Sequence, residues 1–413
     1  MRHVREPGRE VPVIAEADVV VAGGGPGGCV AAVAAARAGA DVMLVERYGY
    51  PGGMATGGLM TSFNGFRNER PPDETQTVRG IAQEIVWELA KLGGATGRTA
   101  HGDFGEIRPG ADLPYAVGFD PEVLKYVLLK MLGGAGVKML FHSWASGALV
   151  RDGRIDAVVC ESKSGRVAVA GDVFVDATGD GVVAASAGAP FEMASVAEAG
   201  SRTMPMTLMY RIAGYEPERS GELDPERAGR RRPRGIHINN CVVRWGPYTR
   251  GEGLSVEDLT RAEIETRTAL FDTLAELRKE PGFESAFIVQ TADYVGVRET
   301  RRFKGLYTVT EADAVEGRRF DDVVAVSSNP VPGYYGKRYF FDHEGFAVPY
   351  RALVPTGIDN LLLAGRIISA HEVPFQSARS MAPLMAVSQA AGAAAAICAT
   401  DRVSPKDVDV KKL

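Results

Sequence analysis

Cysteine is scarce and scattered: Cys29, Cys160, Cys241 and Cys398 are the four in 413 residues, and no two form a C-x-x-C pair. That spacing suits neither a zinc site nor an iron–sulfur cluster. It also leaves no dithiol redox pair close in sequence, so the four read as buried small hydrophobes, and no metal is expected. An excess of positive charge is missing as well. Lys+Arg number 47 against Asp+Glu 52, a net charge of -5, which gives no overall basic field for nucleic acid or an anionic membrane. The leader Met1–Glu16 has no apolar core of a secretory signal. The longest apolar stretch, Ala386–Cys398, is too short to span a bilayer. The expectation is a cytoplasmic protein with no nucleic-acid or membrane partner.

Hydrophobic residues at 45% and charged residues at 24% are ordinary for globular proteins and exclude wholesale disorder. The length predicts two or three domains. What is abundant is glycine, 49 residues, and the glycines cluster.

Ala17–Ala22 (ADVVVA) reads as a buried strand, Gly23–Gly28 interrupts it, and Cys29–Ala38 reads as a helix ended by Gly39. Asp41–Glu46 is a second strand, so these pieces make a βαβ unit and imply a parallel sheet. Helices are expected over Thr77–Leu92 and, with Asp120 as N-cap, over Pro121–Leu132. Val137–Phe141, Gly147–Val150, Arg154–Glu161 and Arg166–Ala170 look like a β-meander, and Asp172–Thr178 like another buried strand. From about residue 190 charge rises, with a basic run at Arg230–Arg234 read as a solvated loop and a long amphipathic helix over Val256–Lys279. A strand at Asn360–Ala364, a loop to Arg379 and an Ala-rich helix from Pro383 to Thr400 close the chain. The predicted fold class is α/β: a Rossmann-type domain of three-layer ββα architecture from residues 17–190 and 350–400, containing the meander at 137–170. Residues 191–349 form an inserted β-rich α+β domain, and residues 1–16 a leader.

Gly23-Gly24-Gly25-Pro26-Gly27-Gly28 fits G-x-G-x-x-G, with Ala32 one turn further along. Gly23 permits the tight turn, Gly25 lets a pyrophosphate approach main chain, and Gly28 and Ala32 let helix and strand pack closely. The anion then lies at the positive end of the helix dipole. Glu46, at the end of the second strand, can accept both ribose hydroxyls, and its acidity argues against a 2′-phosphate. Arg47 and the loop Gly52-Gly53-Met54-Ala55-Thr56-Gly57-Gly58 follow directly, suiting a flat, extended ligand. Val175-Asp176-Ala177-Thr178-Gly179-Asp180-Gly181 and Leu363-Ala364-Gly365-Arg366 place two more glycine turns at strand carboxyl ends, where open α/β sheets bind ligands.

These motifs resemble the FAD-dependent oxidoreductases of the glutathione-reductase superfamily, and most of all the bacterial single-FAD branch whose C-terminus reads A-G-R, then an Arg, then an Ala-rich helix. The likeness extends over about Ala17 to Cys398 and includes the middle segment Leu259–Phe320. It implies FAD, with Gly23, Gly25, Pro26, Gly27 and Gly28 at the pyrophosphate and Glu46 at the adenosine ribose. Arg47 and Gly52–Thr56 would approach phosphate and flavin, Ala177-Thr178-Gly179 would join them, and Gly365-Arg366 would face the ribitol. Many relatives carry Asp where Arg366 stands. One dinucleotide fingerprint is present, not two, and the Trp-rich motif of flavin-dependent halogenases is absent.

Reduced flavin is negative along its N1/C2-carbonyl edge, and a helix N-terminus at Ser380-Met381-Ala382-Pro383 can stabilise that charge; alternatively the helix only packs. His371, between two segments expected to contact FAD, can accept a proton as hydride leaves carbon, or fix its loop by hydrogen bonds. Arg298 and Arg301, with Arg302, can clamp a substrate carboxylate or pair with Glu299. The aromatic run Tyr334, Tyr335, Tyr339, Phe340, Phe341 and His343 can roof a flavin or pack in the core; His101 and His237 are minor candidates. The expected reaction is dehydrogenation or oxidation of a small organic substrate, with oxygen or an electron carrier as acceptor. A flavin monooxygenase and a flavin-bearing electron-transfer subunit are the alternatives, and association of identical copies is left open.

Overall fold

The computed structural model describes residue 4 and residues 8–72, 75–98, 104–193, 204–220, 235–333 and 339–413. The first strand, β1 (Val13–Ala22), leads through a glycine turn into α1 (Pro26–Arg37) and back to β2 (Val42–Val45). β3 (Lys138–Leu140) pairs with β2, and β4 (Ser143–Arg151), β5 (Arg154–Ser162) and β6 (Gly165–Asp176) follow as a meander. Near the C-terminus, β7 (Leu361–Leu363) precedes the final helix α2 (Met381–Asp401). The parallel order is β3-β2-β1-β6-β7, with β5 and β4 added antiparallel to the first half of β6.

Alternation along the strands builds three layers, because successive side chains point to opposite faces. Val19, Val21, Leu44, Val173, Val175 and Leu362 face α1 and α2. Their neighbours Val20, Ala22, Val45, Phe174, Leu361 and Leu363 share a second core with Ile155, Val158 and Val169 of the meander. Both faces of the parallel sheet are therefore covered, which is why its strands read as unbroken apolar runs.

Several element limits differ from the sequence expectation. β1 starts at Val13, because Val13–Ala17 continue the pairing with Ala168–Gly171 beyond the apolar run. The two strands expected at 166–170 and 172–178 are one strand. Gly171 makes the join possible: a Cβ there would lie 2.7 Å from the Val20 side chain and 3.1 Å from the Ala17 carbonyl. The final helix begins two residues early and has 21 residues. By length and composition it passes as a membrane span, unlike the shorter stretch read from sequence, yet its apolar positions are largely buried against α1 and the sheet. The supposed loop before it contains the short helix Glu372–Ala378.

The middle segment builds its own antiparallel sheet in the order Gly235–Ile238, Cys241–Thr249, Met206–Ala213, Phe287–Thr291, with the helix Val256–Leu277 packed on it around Ala262, Leu270 and Leu274. Asp120 ties this sheet to the helix Pro121–Gly134. It caps the helix Pro121–Gly134 through the Glu122 amide at 2.9 Å, and accepts from Arg211 at 3.0 Å and Asn239 at 2.9 Å. Arg230–Arg234, His101, Tyr334 and Tyr335 lie outside the described residues.

The two long helices touch at Gly392, where an added Cβ would sit 2.0 Å from the Ala31 carbonyl oxygen. Gly392→Val is expected to force α1 and α2 apart and destabilise the protein by roughly 1–3 kcal/mol, read as a lower unfolding midpoint in denaturant.

Candidate functional site

The turn after β1 divides its glycines between packing and exposure. Gly23 has φ +99, and a Cβ on it would meet the Ala177 carbonyl oxygen at 2.5 Å. On Gly28 a Cβ would lie 1.8 Å from the Gly23 carbonyl, and on Gly27 2.7 Å from Ser388 Oγ and 3.2 Å from Gly365 Cα. These three let β1, α1 and α2 converge. Gly25 is different: extended backbone with nothing within 4 Å of its would-be Cβ. It is the N-cap of α1, no side chain caps the helix, and Pro26 takes the first helical position. The positive end of the dipole therefore has no side-chain cap, and the space beside Gly25 is open.

Other main chain closes around that point. Gly52 N donates to the Gly24 carbonyl at 2.7 Å, and a Cβ on Gly53 would be 3.0 Å from Gly25 Cα. Gly52 and Gly53 both have positive φ (+110 and +46), so only glycine fits this approach without strain. Ala55 and Thr56 are fully buried, the Thr56 hydroxyl donating to the Pro51 carbonyl at 3.0 Å, while Met54 packs beside Gly58 and Gly296. Gly365, φ +72 with nothing near its would-be Cβ, donates to Ser388 Oγ at 3.0 Å from the other side.

Glu46 closes the end of β2. It is buried, with Oε2 accepting from Gly24 N at 2.6 Å and Oε1 from Tyr48 N at 2.8 Å. Burial pushes its carboxyl above the ordinary glutamate range. The main-chain donors fix its orientation, and the remaining lone pairs can accept hydroxyls. Arg47 leaves this acid and stacks among three rings, 4.6 Å from the Tyr48 centroid, 5.2 Å from Tyr294 and 5.8 Å from Trp144.

Open space beside Gly25 and Gly365, an uncapped helix and a held carboxylate fit an anionic dinucleotide better than any packing role. A family model for FAD dependent oxidoreductases matches residues 18–413. The chain belongs to that family. It is an enzyme that uses FAD, with the Rossmann-type fold of flavoproteins.

This FAD-dependent oxidoreductase is also similar to solved structures at low identity. The p-nitrophenol 4-monooxygenase of Pseudomonas putida DLL-E4 is 14% identical with a TM-score of 0.50, covering 95% of this chain and 82% of its own. A geranylgeranyl bacteriochlorophyll reductase-like protein from Thermoplasma acidophilum is 16% identical with a TM-score of 0.47, at 94% and 78% coverage. No curated protein matches the chain in sequence.

At the carboxyl end of β6, Asp176 is fully buried and accepts from Thr178 N at 3.0 Å, Thr178 Oγ1 at 2.7 Å and Ala184 N at 2.8 Å. Burial raises its carboxyl above the ordinary range. Its role is to shape the turn Ala177–Gly181. Arg366 donates to the Gly179 carbonyl at 2.6 Å, to the Val297 carbonyl, and to Asp180 at 2.5 Å. Thr300 Oγ1 reaches the same carboxylate at 3.0 Å, and Arg301 donates to the Asp180 carbonyl at 2.8 Å while lying over Phe191. Asp180 is thus the meeting point of two expected site arginines. Sequence reasoning quoted its motif without giving it a role; the Gly-Asp-Gly between strand and helix was the available signal.

The remaining candidates are dispersed. His371 is exposed as N-cap of Glu372–Ala378, its main-chain N donating to the Val309 carbonyl at 2.8 Å. Its neighbour Glu372 pairs at 3.4 Å with buried Arg302, which also meets Glu299 at 3.5 Å. Arg298 donates to the Pro205 carbonyl and lies 5.5 Å from the Tyr248 ring centroid. Of the aromatic run, Phe341 packs against Phe346, Phe340 lies under Arg70, and Tyr339 donates to Glu311 at 2.9 Å, all structural contacts. His237 is held by Tyr215 at 2.8 Å. Ser380 and Met381 open α2, whose N-terminus no side chain caps, and Ala382 is buried.

Two outcomes test the cradle. Gly25→Val is expected to leave the apoprotein as stable as wild type but weaken FAD binding at least about tenfold, since a branched side chain occupies the space an anion needs; a flavin-fluorescence titration measures it. For Glu46, ribose hydroxyls need the ionised carboxylate. Its raised pKa means that acidification removes the acceptor sooner than for a solvated glutamate, so FAD affinity falls with pH beginning above the model-peptide range. Glu46→Gln binds FAD more weakly at neutral pH and loses that dependence.

Proposed function

We propose that this FAD-dependent oxidoreductase is a dehydrogenase or oxidase that takes hydride from a small organic substrate, oxygen or an electron carrier then accepting the electrons. The observation that supports the reading is that α1 and α2 both begin without a side-chain cap, while Gly27 in the first turn of α1 packs against Gly365 and against Ser388 further along α2. FAD, when bound, supplies the hydride acceptor. The protein's own residues bind, orient and move protons. The α1 amides and bare Gly25 hold the pyrophosphate, and Glu46 the adenosine ribose. Gly52–Thr56 and Ala177–Gly179 line the cofactor, and Gly365 admits the ribitol. The first-turn amides of α2, from Ser380-Met381-Ala382, stabilise negative charge on the pyrimidine edge.

In this reading His371 accepts the substrate proton; it is exposed, hinged at a helix start and next to the Glu372–Arg302 pair. Arg298 anchors a substrate carboxylate. Arg301, tied to the Asp180 carbonyl, acts by fixing the turn that carries Gly179. The finer kinship with the single-FAD branch of the glutathione-reductase superfamily rests on Ala364-Gly365-Arg366, Arg379 and the Ala-rich helix after it. The protein is proposed to work in the cytoplasm. A monooxygenase is the rival, since one solved structure sharing this fold is a p-nitrophenol monooxygenase.

Anaerobic mixing of the FAD-loaded protein with alcohols, amines, amino acids and hydroxy acids is expected to bleach the flavin with at least one class. His371→Ala is then expected to slow that single-turnover bleaching at least about tenfold. Bleaching by NADH or NADPH alone, with none from organic substrates, would replace the dehydrogenase reading with the monooxygenase.

A further inference from the structure

Beneath the first turn of α2 lies a buried polar cluster that the cofactor cradle leaves unused. Gly65, at φ +95, is pressed between two of its walls: an added Cβ would be 2.9 Å from Asn329 Cβ and 3.2 Å from Pro383 Cδ. Asn329 and the third residue of α2 are therefore no further apart than those separations combined. Asn329 is only 7% exposed. Its Oδ1 accepts from the Tyr115 hydroxyl at 2.9 Å, its Nδ2 donates to the Pro330 carbonyl at 3.1 Å, and its main-chain carbonyl accepts from Ser377. Ser377 and Ser327 share a hydrogen bond at 2.8 Å, as do Thr77 and Ser328.

A buried polar network is stable only when its members are satisfied; otherwise apolar residues fill the same volume better. A carboxamide nitrogen carries two donors. The Pro330 carbonyl, which can only accept, fixes which end of Asn329 is nitrogen; it leaves Oδ1 to accept from Tyr115 and takes one N–H. The second has no acceptor among the described residues. Nδ2 is thus only half used, on a buried side chain near a helix start that has no side-chain cap. Two sets of donors thus share one neighbourhood with no acceptor among the described residues, and an electron-rich ligand edge can satisfy both.

We propose that Asn329 donates this N–H to the pyrimidine edge of the FAD isoalloxazine, beside the α2 amides, and so raises the cofactor's reduction potential. Tyr115 is a positioning residue that acts by orienting the carboxamide. The inference rests on the reading that α2 points at the flavin and adds a side-chain donor to it. A donor to the N1/C2-carbonyl edge favours the reduced, negatively charged form over the oxidised one, so losing it lowers the potential.

The test is the midpoint potential of the FAD-loaded full chain, read against reference dyes. Asn329→Leu is expected to shift the reduction equilibrium at least tenfold toward oxidised flavin, about 30 mV for a two-electron couple. Asn329→Asp is expected to shift it further, because a carboxylate faces the same edge. Tyr115→Phe keeps the ring and is expected to shift it in the same direction by less. Thr77→Val, in the same network but away from the carboxamide, is expected to keep the wild-type potential. FAD-bound Asn329 variants within threefold of wild type overturn the proposal, as does an equal drop in Thr77→Val, which assigns the shift to loosened packing. Should the Asn329 variants fail to fold, an unchanged potential in Tyr115→Phe overturns it alone. Wild-type protein that takes up no FAD is a separate failure, of the cradle itself, and is visible before any variant is made.

Discussion

The constraint on which the molecule turns is that α1 begins without a cap. The first N–H groups of a helix must find acceptors or water, and here no side chain among the described residues caps them. Gly25 has no side chain, Pro26 has no N–H, and Gly53 and Gly365 approach from either side as bare main chain. A capping Ser or Asp at the N-cap would satisfy those groups internally and close the space. The uncapped start costs stability in the free protein, and an anion placed there restores it. Gly23, Gly28 and the buried Glu46 then follow as the means of bringing one strand, one helix and one acid to a single point.

The second helix, α2, also begins without a side-chain cap, and the two are not independent. α1 and α2 cross where Gly392 meets the Ala31 carbonyl, and Gly27 meets both Gly365 and Ser388. Helix-to-helix contact at main-chain distance leaves little freedom for one N-terminus to move relative to the other. The relation between the two helix starts is therefore set by glycine packing in the core rather than by loops. This explains why the Ala-rich sequence of α2, apolar on all sides, belongs inside the protein: small side chains allow the close crossing.

Much of this was legible in the sequence, for identifiable reasons. The Gly23–Gly28 turn, the strand before it and Glu46 after it obey local rules, since a tight turn and a strand-end acid need particular residues at particular spacings. The layers were legible because period-2 alternation was hidden only where both faces are buried. What escaped depends on distant partners. β6 reads as two strands because Gly171 looks like a break, and only the neighbouring Val20 shows that it is a close approach. Asp180 looks like one turn residue among several until Arg366, Thr300 and Arg301 converge on it from about 120 and 186 residues away. Asn329 carries no motif at all. Its environment comes from Gly65, Tyr115, Ser377 and Pro383, four separate segments.

Arg366 shows how the fold ties the turn after β6 to the middle segment. Its guanidinium spans the Gly179 carbonyl, the Val297 carbonyl and the Asp180 carboxylate. A guanidinium offers five donors in a fixed plane, so one side chain can lock the turn after β6 to the segment that carries Arg298 and Arg301. Arg301 adds a second tie from that segment to the Asp180 carbonyl. A carboxylate at position 366 could make none of these contacts and would repel Asp180. The arginine therefore fits a structural task peculiar to this arrangement: it holds the middle segment against the glycine turn, and no carboxylate at that position could do the same.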